Sequence, residues 1–173
     1  MRVTYNRELV VRDFLNSLDI ENYVPMKYDV VETRWSRKME LVPAVHNLIF
    51  VHSVKEVLLD LKRTRTECLS LRFMMKRPLP DEDKPSEIMT VSDRDMENFI
   101  KAVSVQNGQV VFLDYTDYIA KEGKRVKIAE GPFAGVEGKL KRIKKNKCVV
   151  VEIEGIMAVA ITNLTPRSLI LLD

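Results

Sequence analysis

Hydrophobic spacing changes character along this chain, and that change limits what it can fold into. Up to residue 105, apolar residues recur at three- and four-residue steps in three places. Beyond residue 120 that period is gone, and short β-rich runs alternate with turn residues. A chain so divided reads as a helix-bearing module followed by an all-β one, with residues 106–120 as a partly extended connection. Its 173 residues, 46% of them hydrophobic, suffice for one domain or two small ones.

In the first module, Val10, Val11, Phe14, Leu15 and Leu18 mark the buried face of a helix starting near Asn6. Glu8 and Arg12 lie one turn apart on its outer side, a pairing worth a few tenths of a kcal/mol. A second helix is expected from Ser53, where Ser53 and Glu56 have the spacing of a capping box, with Val54, Val57, Leu58 and Leu61 inward. A third starts near Ser92, with Met96, Phe99, Ile100 and Val103 as its inner face. Extended stretches such as "NYVPM", "NLIFV", "LSLRFMM" and "EIMTV" lie between them. The alternation predicts an α+β fold whose first part is a split βαβ α/β sandwich, an antiparallel sheet with helices against it.

Five runs, "RVKIA", "GVEGKLKRI", "CVVVEI", "MAVAIT" and "SLILL", predict a small five-stranded SH3-like β-barrel behind it. The stretch "EGPFAGVEGKL" (residues 130–140) is not a nucleotide loop. Counting back from Gly138-Lys139 puts Phe133 where the first glycine belongs, and Leu140 stands where a magnesium-binding hydroxyl should be. Gly131-Pro132 and Gly135 instead suit a chain reversal, and Gly138 a strand that bends where a side chain would clash. Phe133 either lids one end of the barrel or stands out as a binding aromatic.

The net charge of +3 is unevenly spread: residues 121–173 hold 11 Lys and Arg against 6 Asp and Glu, residues 1–120 hold 17 against 19. "KLKRIKKNK" alone has six basic residues in nine, and Lys144, Lys145 and Lys147 are expected on an exposed tip. "ETRWSRKME" gathers Arg34, Arg37 and Lys38 round the only tryptophan, Trp35, a combination that can hold phosphates and stack on an unpaired base. No apolar run approaches the roughly 18 residues of a membrane span, and the charged start "MRVTYNREL" lacks an apolar leader, which reads as cytoplasmic. Cys68 and Cys148 lack metal or redox spacing and read as buried free thiols. His46 and His52 have no triad partner at a convincing spacing, and "DEDK" (81–84) lacks the glycine and glutamate of a calcium loop, so neither catalysis nor a cofactor or metal is expected.

"GKRVKIAEGPFAGVEGKLKRI", with "KCVVVEIEG" and "MAVAIT" after it, resembles a KOW domain of the NusG family of transcription elongation factors. The first 105 residues resemble that family's N-terminal (NGN) domain, with "PAVHNLIFVHS" in the place of its proline-initiated third strand. "RVTYNREL", "VPAVHNLIFVHS" and "EGPFAGVEGKLKRIK" are most similar to the UpxY-type paralogues, antiterminators of capsular polysaccharide operons. The family's first strand opens with a Trp-Tyr pair absent here, so either the start lies earlier or the strand is shortened. The resemblance implies domains at 1–105 and 121–173 and a non-enzymatic role. Leu48, Phe50 and Met74 would bind the clamp helices of RNA polymerase; Arg7 and Arg12 would face the non-template DNA strand, and the Trp35 hairpin upstream DNA. Phe133, Lys144, Lys145 and Lys147 would meet a ribosomal protein, a termination factor or nascent RNA. A ribosome- or RNA-associated KOW protein is the competing expectation.

Overall fold

A computed structural model describes residues 1–76, 85–105, 108–113, 123–143 and 146–172. The "DEDK" run, Lys144 and Lys145 lie outside the described residues. The chain forms two compact units, Met1–Met89 and Thr90–Asp173.

The first unit runs β1 (Arg2–Val3), α1 (Glu8–Ser17), β2 (Asn22–Tyr23), β3 (Met26–Thr33), β4 (Ser36–Pro43), β5 (Phe50–Val51), α2 (Lys55–Thr64), a 3-10 turn (Thr66–Ser70), β6 (Leu71–Arg72), β7 (Met75–Lys76) and β8 (Glu87–Ile88). Its described strands pair antiparallel as β1 with β6, β2 with β5, β3 with β4 and β7 with β8, and an isolated bridge joins Arg2 to Leu48. Val3 N–H to the Asn47 carbonyl at 3.0 Å and Ile49 N–H to the Met1 carbonyl at 3.1 Å flank that bridge and join two of the ladders into one antiparallel sheet in the order β6-β1-β5-β2, as expected, whereas β3–β4 and β7–β8 stand as separate ladders among the described residues. Val3, Val11, Leu15, Val24, Ile49, Leu61, Cys68 and Leu71 form the core, each burial worth about 1.5–3 kcal/mol for the large aliphatics.

The helix stripes are narrower than their periodicity suggests. Val11 and Leu15 are buried in α1, whereas Val10 and Leu18 are exposed. Glu8 is only 1% exposed, and Arg12 pairs with Asp13 at 2.7 Å, so the outer Glu8–Arg12 pair is not formed. In α2, Leu58 and Leu61 are buried while Val54 and Val57 are exposed. The capping box at Ser53 is not formed either: Val54 is the N-cap and accepts no side-chain bond, because the helix begins one residue later and Glu56 falls at the second helical position.

The second unit contains α3 (Asp93–Val103), β9 (Val110–Leu113), β10 (Lys124–Ile128), β11 (Glu137–Ile143), β12 (Asn146–Ile153), β13 (Met157–Ile161), a 3-10 turn (Pro166–Ser168) and β14 (Leu169–Leu171). They make one antiparallel sheet in the order β14-β10-β11-β12-β13-β9. All five expected barrel strands form, and the connecting segment adds a sixth, with Val110 opposite Ile161 and Leu113 opposite Ala158. Register assigns the faces. Val149, Val151 and Ile153 share one face with Ile161, Val159 and Met157, and Val150 shares the other with Ala158 and Ala160. Both faces are buried here. α3 packs on β12 and β13, and Val150, Ala158 and Ala160 cluster with Ile143 and Cys148, with Leu113 of β9 packed against them.

Ser92 caps α3, its Oγ accepting from the Asp95 amide at 3.1 Å, so the helix starts where expected. Asn98 on α3 continues the sheet: its Nδ2 donates to the Glu137 carbonyl and its Oδ1 accepts from the Glu137 amide, both at 2.8 Å. It thereby takes the place of β12, whose pairing with β11 ends at Lys139 and Val150. The helix grouped by sequence with the first module therefore completes the second unit. Gly131 and Gly135 take φ of 84° and 89° in the turn after β10, and a Cβ on Gly138 would lie 2.6 Å from the Val150 carbonyl oxygen. Phe133 is buried inside that turn. Cys68 and Cys148 are buried free thiols, and burial pushes the Cys68 thiol pKa up.

Candidate nucleic-acid interface

The β3–β4 hairpin is in register from Met26 opposite Pro43 to Thr33 opposite Ser36, which leaves Arg34 and Trp35 as the reversal. Thr33 secures that end: its Oγ1 accepts from the Ser36 amide at 3.1 Å and lies 2.9 Å from the Ser36 hydroxyl. Trp35 is 89% exposed, with Arg34, Arg37 and Lys38 also exposed around it. Arg37 lies 3.2 Å from Glu32; that exposed pair is worth less than about 1 kcal/mol and yields readily to a phosphate. Near the hairpin base, a hydrogen bond from Lys27 at 2.7 Å, helped by the Val30 amide, holds the Asp29 carboxyl below the usual carboxylate range.

Tyr28 stands opposite Leu41 and Val30 opposite Met39, and all four are exposed on one face of the ribbon. Sequence reasoning missed this apolar ladder because alternation of this kind ordinarily marks the covered face of a sheet.

Other expected contact residues are placed differently. Arg7 is the exposed N-cap of α1. Leu48 and Phe50 are 4% and 8% exposed, while Met74 is half-buried. Lys62 Nζ sits 4.6 Å over the Phe73 ring. Phe133 is 1% exposed and fills its turn, which answers the choice between lid and outward aromatic in favour of the lid. Lys147 is exposed on β12, directly across from Arg142. Glu8 is a buried site that the sequence did not reveal. Its Oε1 is 3.6 Å from His46 Nδ1 and its Oε2 has no hydrogen-bond partner among the described residues. The available signal was its place in the first turn of α1, where the helix dipole favours a carboxylate.

Residues 122–154 match the KOW motif. That match fits an RNA- or ribosome-associated protein or a NusG-like factor. It covers the strands from Lys124 through Ile153 and the glycine turn between the first two. No curated protein matches the chain. No helix among the described residues is long and apolar enough to cross a membrane.

Proposed function

We propose that the chain is a NusG-like transcription elongation factor acting by contact, with the first unit engaging RNA polymerase and nearby nucleic acid and the KOW unit recruiting a further partner. The observation that carries this is the Trp35 hairpin, an exposed aromatic ringed by cations, in a chain that also bears a KOW motif. Stacking of one base on such a ring is worth about 1–3 kcal/mol, and each phosphate neutralised adds a salt-dependent contribution. Polymerase contact is assigned to the region of Leu48, Phe50 and Met74. Met74 offers surface there, while Leu48 and Phe50 would have to be uncovered to take part. The likeness of "EGPFAGVEGKLKRIK" to UpxY-type antiterminators supports the finer reading, readthrough of a long operon such as one for capsular polysaccharide, in the cytoplasm.

The test is transcription by purified RNA polymerase through a long leader, with and without the protein. Readthrough should rise with the native chain and fall several-fold toward background with a Trp35→Ala, Arg37→Glu variant whose far-UV circular dichroism is unchanged. No effect of the native chain would defeat the reading. A second reading, a ribosome-associated KOW protein, is favoured by the confinement of the match to residues 122–154; affinity capture yielding ribosomal particles without polymerase would select it.

A further inference from the structure

β14 is one end of the six-stranded sheet. Its hydrogen-bonding phase follows from two flanking bonds, Ala129 N–H to the Ser168 carbonyl at 2.8 Å and Leu172 N–H to the Arg125 carbonyl at 2.9 Å. With the period-two alternation of an antiparallel ladder, Ile170 points its amide and carbonyl at Lys127 on β10, and Leu169 and Leu171 point theirs at the open edge. The Leu169 amide is taken by the Pro166 carbonyl. Among the described residues, the Leu171 amide and the carbonyls of Leu169 and Leu171 therefore form an unused ladder. Edge strands are usually blunted by charge or proline, yet here Ile170 and Leu171 are 53% and 60% exposed.

Beside this edge lies a cavity of about 250 Å³ lined by apolar side chains, among them Val126, Leu140, Val149, Leu164, Leu169 and Leu171, with Lys147 on its wall. Lys124, directly opposite Leu140, lies on the same sheet face as Val126 and is exposed. The space suits one branched aliphatic or aromatic side chain, and the nearby cations suit an acidic neighbour.

We propose that the β14 edge is a docking site for an extended acidic segment of a partner protein, which adds a strand alongside Leu169–Leu171 and inserts one apolar side chain into the adjoining cavity. Main-chain bonds to Leu171 supply register, the cavity selects the anchor, and Lys124 and Lys147 select the flanking charge. This site is independent of the polymerase contact proposed above and stands whether or not that contact exists.

The experiment is a titration of the isotopically labelled full chain with the peptide EEVLVEE, followed by amide shifts and hydrogen exchange. Shifts should centre on Leu169–Leu172 and the lining residues, and exchange at the Leu171 amide should slow. Serine in place of the central leucine should weaken binding at least about tenfold, and the basic peptide KKVLVKK should bind more weakly than EEVLVEE. Leu171→Pro removes the outward amide, not a bond to β10, so the sheet should persist while binding is lost; Lys147→Glu should reverse the preference between acidic and basic peptides. Unaltered exchange at Leu171, equal binding of the serine peptide, or shifts centred elsewhere would overturn the proposal. So would an oligouridylate producing the same shifts more strongly, or self-association that already protects Leu171 without peptide.

Discussion

Tyr23 on β2, opposite Phe50, is half-buried, and burial pushes its phenol up to about 12 from 10.0. The folded state thus favours the neutral form more than the unfolded chain does. The associated stability is fully present below pH 10 and is lost as pH rises through about 12. Urea midpoints measured at pH 8, 9.5 and 11 should fall at the last value, and Tyr23→Phe should flatten that fall. Its burial was not legible in "NYVPM", because a two-residue strand has no periodicity to read. Glu8 was misread for a related reason. Spacing of four pairs it with Arg12, but Arg12 turns to Asp13 and Glu8 turns inward towards His46. Gly138 was readable because a close backbone approach admits no side chain, and its neighbour is the Val150 carbonyl.

Among the elements, α3 and α2 show when a capping signal succeeds. Ser92 stands immediately before the first helical residue and its Oγ reaches the Asp95 amide. Ser53 misses the same role by one residue, and a hydroxyl cannot bridge that offset. Asn98 adds a role that no helix pattern encodes, two side-chain bonds to the main chain of Glu137. Asn98→Ala leaves both of those main-chain groups without their amide partner, and should destabilise the second unit by about 1–3 kcal/mol, with exchange at the Glu137 amide accelerated. Ordinary stability with unchanged exchange there would contradict the assignment. The β3–β4 ribbon is the opposite case. Its strands and reversal are readable from "ETRWSRKME" and its neighbours, but the exposure of Tyr28, Val30, Met39 and Leu41 depends on what packs against the ribbon.

On the scale of the whole molecule, the compact units divide at residue 89, so α3 travels with the six-stranded sheet. A fragment of residues 90–173 should unfold cooperatively. One starting at residue 106 lacks α3 and with it the buried Phe99 and Ala102, and should melt roughly 10 °C lower, given about 2 kcal/mol of lost burial. Equal melting temperatures by calorimetry would show that α3 contributes nothing to the second unit.

The sequence by itself determined where helices and strands arise, which glycines turn the chain after β10, and that a KOW-like run of strands follows a mixed α/β region. Those features depend on backbone preference and on neighbours within about four residues. Only the tertiary structure decided that α3 packs on β12 and β13, that Leu48, Phe50 and Phe133 are enclosed, and that the hairpin ladder and the β14 edge are left open by the described residues. Alternation states that a strand has two faces; what covers each face is settled by segments distant along the chain.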